Sequence, residues 1–401
     1  MNVMAGGITS PKGFRAAGIH CGIKKKKLLD LALVVSEREG PVAGVFTNNR
    51  VAAAPVVLDR LHLQQGIGRA IIVNSGNANA CTGAEGLAAA EEMATLVAQR
   101  LGTDPRKVFV GSTGIIGQPL PIVQIRAGIP ALMQRIRRAG GTEAARAILT
   151  TDLRVKQIAV QGMIAGRLVT IGGMAKGSGM IHPNMATMLA YLTTDATIAQ
   201  SALQKALSAA VDQSFNCISI DGDTSTNDTV LCLANGLADN DPVQAGTEAF
   251  ATFQHLLEQA CLELALRICR DGEGVTKIVK IQVTGADSSA AAKQVANTVA
   301  TSNLVKTALF GEDANWGRVM AAVGRSGVPV DQSRISLSFD KVAMVKNGGG
   351  LGAQAERRIA TVFRKKEFTI HIDLGQGSAQ GHVWTTDLSY DYVKINASYR
   401  S

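Results

Sequence analysis

Thr187 is the residue of this chain with the most distinctive chemistry within reach. It closes the stretch Lys176-Gly-Ser-Gly-Met-Ile-His-Pro-Asn-Met-Ala-Thr187 and opens the apolar run Met188-Leu-Ala-Tyr-Leu192. Gly177, Gly179 and Pro183 break any regular pattern, so a shaped loop is expected there, with a strand buried on both faces over 187–192. A threonine hydroxyl is a weak nucleophile without a base. Its own α-amine, freed by cutting the bond between Ala186 and Thr187, can be that base, because such an amine titrates near about 7.7–8. The plain alternative is a strand-edge threonine that packs through its methyl group.

Other groups could serve such a nucleophile. Strand-like 107–110 runs into Gly111-Ser-Thr-Gly114, a Gly and hydroxyl turn whose outward N–H groups suit a developing oxyanion; it is equally an ordinary turn or a weak phosphate cradle without the P-loop lysine. Lys176 reads as a surface lysine or as a carboxylate partner, and Glu273, in Asp271-Gly-Glu-Gly274, as an exposed carboxylate or an ammonium partner. Thr150 and Thr151 close a helical segment over 143–149. Asp221-Gly-Asp-Thr-Ser-Thr-Asn-Asp228 follows the apolar run 215–220. It resembles the nucleophilic motif of haloacid-dehalogenase-type phosphatases, which would make Asp221 a phosphoryl acceptor dependent on Mg²⁺. Its plain reading is a hydrogen-bonded turn between core strands. As a calcium loop it fails on spacing, with Thr226 at the glycine position and Cys232 at the glutamate position.

The Lys176–Thr187 block resembles the processing site of the bifunctional ornithine acetyltransferase / N-acetylglutamate synthase family of arginine biosynthesis. The resemblance extends through Val45-Phe-Thr-Asn-Asn-Arg50, Asn74-Ser-Gly-Asn-Ala-Asn79, Gly111-Ser-Thr-Gly114, the 221–228 run, Asp271-Gly-Glu-Gly274 and Asn315-Trp-Gly-Arg318. It implies a chain cut into 1–186 and 187–401, with Thr187 as nucleophile and an oxyanion hole from the Thr113 hydroxyl and the Gly114 N–H. Substrate contacts fall to Thr151 (preferred over Thr150), Lys176, Thr187, Glu273, Asn396 and Ser401; the last residue is commonly threonine in the family, so Ser401 departs from it. The implied reaction moves acetyl from N-acetylornithine to glutamate through acetyl-Thr187, needs no metal or organic cofactor, and in some members also takes acetyl-CoA. Self-cleaved aminopeptidases are the near alternative. The implied fold is α+β, a layered αββα sandwich over 1–277 with a smaller α/β domain over 278–401, assembled as an α2β2 heterotetramer.

The elements that must position these residues can be sketched from pattern. Apolar runs at 31–35, 42–46, 69–73, 157–163 and 167–171 read as strands. Residues 84–101, 198–211, 247–267 and 288–300 read as helices, and 122–139 as helical but interrupted at Gly128 and Pro130. Strands are expected again at 277–283, 335–339, 368–372 and 381–385; Trp316 and Arg318 are expected to anchor packing, and 396–401 to fray. With 46% hydrophobic residues the chain is not disordered. Its net charge of +9 is scattered and aromatics are only 4%, which argues against nucleic acid and for small anionic substrates. Lys24-Lys-Lys-Lys27, the densest basic cluster, is a solvated face or a phosphate patch. Cysteines 21, 81, 217, 232, 261 and 269 lack metal-ligand spacing, and no secretory or membrane-spanning run stands out, so a cytoplasmic location is expected.

Overall fold

A computed structural model describes residues 2–182 and 188–398; Ala186, Thr187 and Ser401, the expected cut site, nucleophile and closing residue, lie outside them. Two compact units divide these residues. The first takes 2–177, 188–216 and 224–268, and the second takes 178–182, 217–223 and 269–398. Residues 269–277, expected to close the catalytic region, therefore sit with the second unit.

The strands of the first unit are β1 (Asn2–Met4), β2 (Phe14–Ile19), β3 (Leu31–Phe46), β4 (Ile67–Asn77), β5 (Val108–Ile115), β6 (Lys156–Ile164), β7 (Arg167–Lys176) and β8 (Leu189–Thr194), then, after the short β9 (Ile218–Ser219) of the second unit, β10 (Thr229–Ala234). They pair in the order β1-β6-β7-β8-β10-β3-β4-β5, with β2 also on β3. The runs 31–35 and 42–46, read as separate strands, are one strand. A register shift between Val35 and Gly40 lets its first half pair β2 and its second half pair β10.

Alternation along β3 and β4 then decides the layers. Ala32, Val34, Ile71 and Val73 join Met174, Leu189, Tyr191, Leu231 and Leu233 from β7, β8 and β10 in one core between two sheet layers. Leu31, Leu33, Ala70 and Ile72 point the other way, under the helices α2 and α3 defined next. The first unit's helices are α1 (Ala54–His62), α2 (Gly83–Leu101), α3 (Ile122–Gln134), α4 (Gly141–Ala147), α5 (Gln200–Asp212) and α6 (Glu248–Arg270). α2 buries Ala90, Met93, Ala94 and Val97 in one core with Leu31, Leu33, Ala70 and Ile72. α3 runs through Gly128 and Pro130 without a break. Gly128 is needed there, because a Cβ would lie 2.7 Å from the Cβ of Cys21. On the far side Gly162 and Gly173 make room for Leu256 and Leu264 of α6. The result is a helix–sheet–sheet–helix sandwich, the layered α+β fold expected.

In the second unit β11 (Ile278–Ala286), β12 (Ser336–Phe339), β13 (Val342–Lys346), β14 (Gly349–Gly350), β15 (Glu367–Asp373) and β16 (Ala379–Thr386) form a sheet with β9, in the order β14-β13-β12-β15-β11-β16-β9. Its core includes Val295 and Val299 of α7 (Ser289–Ala300), Leu309 of α8 (Asn303–Phe310), Val319 of α9 (Trp316–Gly324) and Phe363 of α10 (Ala353–Phe363), with Trp316 packed against it. Two differences from expectation bear on the site. The run 215–220, which the phosphatase reading takes as an apolar strand, is a turn followed by the two-residue β9. Asn396 and Ala397, the first residues of the tail expected to fray, close α11 (Tyr390–Ala397), with Ser389 accepting from Tyr392 N at 3.2 Å as its N-cap. No helix among the described residues is long and apolar enough to cross a membrane.

Candidate active site

In the first unit the site grows from the end of β7. Lys176 is buried, 3% exposed, and its Nζ donates to Thr150 Oγ1 at 2.7 Å and to Thr113 Oγ1 at 3.3 Å. Asp152, not singled out from sequence, holds this cluster. Its Oδ1 accepts from Lys156 Nζ and from Gly177 N, each at 2.7 Å; its Oδ2 accepts from Thr150 N at 3.0 Å and lies 3.9 Å from Lys176 Nζ. Burial pushes the Asp152 carboxyl up. The charges of Lys176 and Lys156 and the hydrogen bonds overcome that and hold it down at about 2. The Thr150 hydroxyl accepts from Lys176, and Thr151 follows it in the chain.

Lys24, the first of the basic run, turns inward. Its Nζ donates to Leu149 O at 2.7 Å and to Leu29 O at 2.9 Å, and burial, reinforced by the charge of Lys176, brings it down to about 8. Asp30 shapes this loop by accepting from the N–H groups of Cys21, Gly22, Ile23 and Lys24. Lys25, Lys26 and Lys27 are exposed, as a solvated face would be.

Gly111-Ser-Thr-Gly114 is not a turn but the end of β5, paired in parallel with β4 through an irregular register at Gly76 and Asn77. Gly114 has φ 134°, and a Cβ there would sit 2.4 Å from the carbonyl carbon of Gly76, so only glycine lets the two backbones close. Asn74, Ser112 and Asn227 knit this end: Ser112 Oγ donates to Asn74 Oδ1 (2.6 Å), and Asn227 Nδ2 donates to Ala78 O (2.6 Å) and Ser112 O (2.8 Å). Thr113, 4% exposed, accepts from Lys176 through one lone pair, which leaves its O–H free to donate elsewhere. Across the sheet Lys176 pairs with Leu189, two residues after Thr187, and buried Asp228 accepts from Met188 N at 3.0 Å.

In the second unit the turn 271–274 presents Glu273, 8% exposed. Its N–H donates to Ser178 O at 2.8 Å, and its Oε2 accepts from Asn396 Nδ2 at 2.8 Å. Asn396 reaches it because α11 is docked on that turn: Ser389 Oγ donates to Gly274 O at 2.6 Å. Asp221 accepts from Met180 N (2.5 Å), Ile181 N (2.8 Å) and Tyr392 Oη (3.2 Å). Both of its oxygens are thus engaged in holding a loop, which fits the plain turn reading better than a phosphoryl acceptor behind a full strand.

The structure therefore brings Lys176, Thr113 and Thr150 together in one unit, and Glu273 and Asn396 in the other. The ArgJ family profile matches residues 15–401. The arginine biosynthesis bifunctional protein ArgJ of Geobacter sulfurreducens is 51% identical over 97% of this chain and 99% of its own length. The chain belongs to the ArgJ family. It is an acyltransferase of that family. The ArgJ protein of Symbiobacterium thermophilum is 49% identical with both chains fully covered. A solved ArgJ chain from Bacillus halodurans is 42% identical with a TM-score of 0.50; it is matched over 98% of its length and spans 52% of this chain. For acyl transfer by an ArgJ protein, the first unit offers a buried cation and a free O–H beside a strained glycine, and the second a buried carboxylate with an amide donor.

Proposed function

We propose that this protein moves acetyl from N2-acetylornithine to glutamate in arginine biosynthesis, through an ester on Thr187 exposed by self-cleavage after Ala186. The Thr187 hydroxyl attacks the acetyl carbonyl, its α-amine takes the proton and returns it to the departing amine of ornithine, and the amine of glutamate then takes the acetyl group. Thr113 and Gly114 face the oxyanion, Lys176 and Thr151 hold the carboxylate end, and Glu273, Asn396 and Ser401 hold the amino end. The reaction needs no metal or organic cofactor; acetyl-CoA serves as a second donor where both activities are present. Two copies of each fragment assemble as α2β2 in the cytoplasm.

The observation that carries this reading is the buried Lys176, gripped by the Thr150 and Thr113 hydroxyls on the strand that pairs directly with the start of β8. A site for an N-acylated amino acid needs a desolvated cation for the carboxylate beside a donor for the oxyanion. The matched half-length chain of the Bacillus halodurans relative supports the cut: it spans a little over half of this chain, the share that residues 187–401 would have. The test is intact mass together with acetyl transfer between acetylornithine and glutamate. The expected result is two fragments meeting at Ala186 and Thr187, transfer activity, and a Thr187→Ala protein that stays whole and inactive. An uncut chain that still transfers acetyl refutes the α-amine mechanism; a cut chain that only hydrolyses peptides is an aminopeptidase.

A further inference from the structure

Asp221 opens a prominent motif that acetyl transfer as proposed leaves without work. We infer that Asp221 is a positioning residue that ties the turn ahead of the expected cut to the helix carrying Asn396, and so sets both the cleavage loop and the ammonium subsite. The assignment deepens the acetyl-transfer reading and rests on it.

The argument starts with Met180. It has φ 58°, a left-handed backbone that an unbranched non-glycine side chain adopts only when something holds it. What holds it is a carboxylate: Met180 N donates to Asp221 Oδ2 and Ile181 N to Asp221 Oδ1, two charge-assisted bonds from consecutive amides. The turn so fixed bears directly on Glu273. Ser178 O accepts from Glu273 N, and a Cβ on Gly179 would lie 2.5 Å from Glu273 Oε2, so the bare backbone of Gly179 is packed against the carboxylate.

The same Oδ2 accepts from Tyr392 Oη, one turn before Asn396 on α11. Asn396 Nδ2 in turn donates to Glu273 Oε2 and to Tyr392 O. Asp221 thus closes a ring of contacts through Met180, Glu273, Asn396 and Tyr392. Behind it stands the buried ammonium of Lys306, which donates to Thr386 Oγ1 at 3.2 Å while Thr386 Oγ1 donates to Ile220 O at 3.4 Å. Asp223 N adds a long 3.4 Å bond to Oδ1. Burial pushes the Asp221 carboxyl up, and the N–H groups of Met180, Ile181 and Asp223 pull it back down; the ionised form is the one that can accept from all four donors at once.

Two near-isosteric changes separate the two halves of this role. Tyr392→Phe removes only the link to α11: self-cleavage should proceed at the wild-type rate, while KM for N-acetylornithine rises about tenfold with kcat nearly unchanged. Asp221→Asn replaces one acceptor oxygen with a donor facing a backbone N–H, so cleavage followed by intact mass should slow by about tenfold or more, with KM raised as well. A residue that merely packs would lower the melting temperature without that split. Wild-type cleavage and wild-type KM in both variants overturn the assignment; if Asp221→Asn does not fold, unchanged KM in Tyr392→Phe does so alone. A wild-type protein that is neither cut nor active overturns the parent reading and this assignment with it, whereas a cut and active wild type with silent variants overturns the assignment only.

Discussion

Asp152 shows how one side chain can arrange a site it was not expected to belong to. Its carboxylate is fully buried among Lys156, Lys176, Thr150 N and Gly177 N, and is held at about 2, below the ordinary 3.8. A carboxyl group depressed on folding contributes stability that is fully present above its unfolded pKa and is lost as pH falls through its folded value. Here the window runs from about pH 4 down to about pH 2, and the contribution is about 2 kcal/mol. Asp152→Asn leaves two buried lysines without their carboxylate, which should cost about 3–5 kcal/mol at neutral pH. Urea unfolding from pH 7 to pH 2 measures both quantities. The gap between wild type and variant should narrow by about 2 kcal/mol on acidification; a gap of constant size means that the lysines do not hold the carboxylate down. Nothing in the sequence marked Asp152 beyond its place after two threonines, because Thr150 and Lys156 lie only 2 and 4 residues away but Lys176 and Gly177 lie 24 and 25 away and meet it only through the pairing of β6 with β7.

At the scale of elements, the end of β5 is where pattern and structure part. Gly111-Ser-Thr-Gly114 has turn composition, yet it is paired strand, because β4 offers an equally small partner in Asn74-Ser-Gly-Asn77 and two small-residue backbones can approach until they touch. Gly114→Ala should therefore suffer twice, from a φ of 134° and from a Cβ 2.4 Å from Gly76, with a destabilisation of at least about 1–3 kcal/mol. Gly102→Ala, at φ 63° with open space around its Cβ, should lose only about 1 kcal/mol. Melting temperatures of the two variants decide it: equal losses would mean that the β4–β5 contact yields easily and cannot present a fixed N–H to an oxyanion.

At the scale of the whole molecule, a cut between 186 and 187 falls between strands that must stay together. β8 lies between β7 and β10, and β10 pairs β3, so the later fragment would supply two inner strands to a sheet whose other strands come from the earlier one. Leu189, Tyr191, Leu231 and Leu233 are buried in the same core as Val34, Ile71 and Met174. The fragments are expected to co-elute on native size exclusion and to part only in denaturant; free fragments after native chromatography would show that the shared sheet does not hold them. What the sequence determined by itself was the set of elements and the chemistry of single positions. Apolar period marked α2, α5, α6, α7 and most strands, and the Lys176–Thr187 block marked the stretch where a hydroxyl follows a shaped loop, because both signals are local in the chain. Tertiary structure alone decided that 31–46 is one bent strand, that 390–397 form a helix docked through Ser389, that Thr150 and Asp152 grip Lys176, and that Asp221 clamps Met180. Each of these depends on groups distant in sequence satisfying one another's hydrogen bonds and charge in a space closed to water, and no local pattern carries that information.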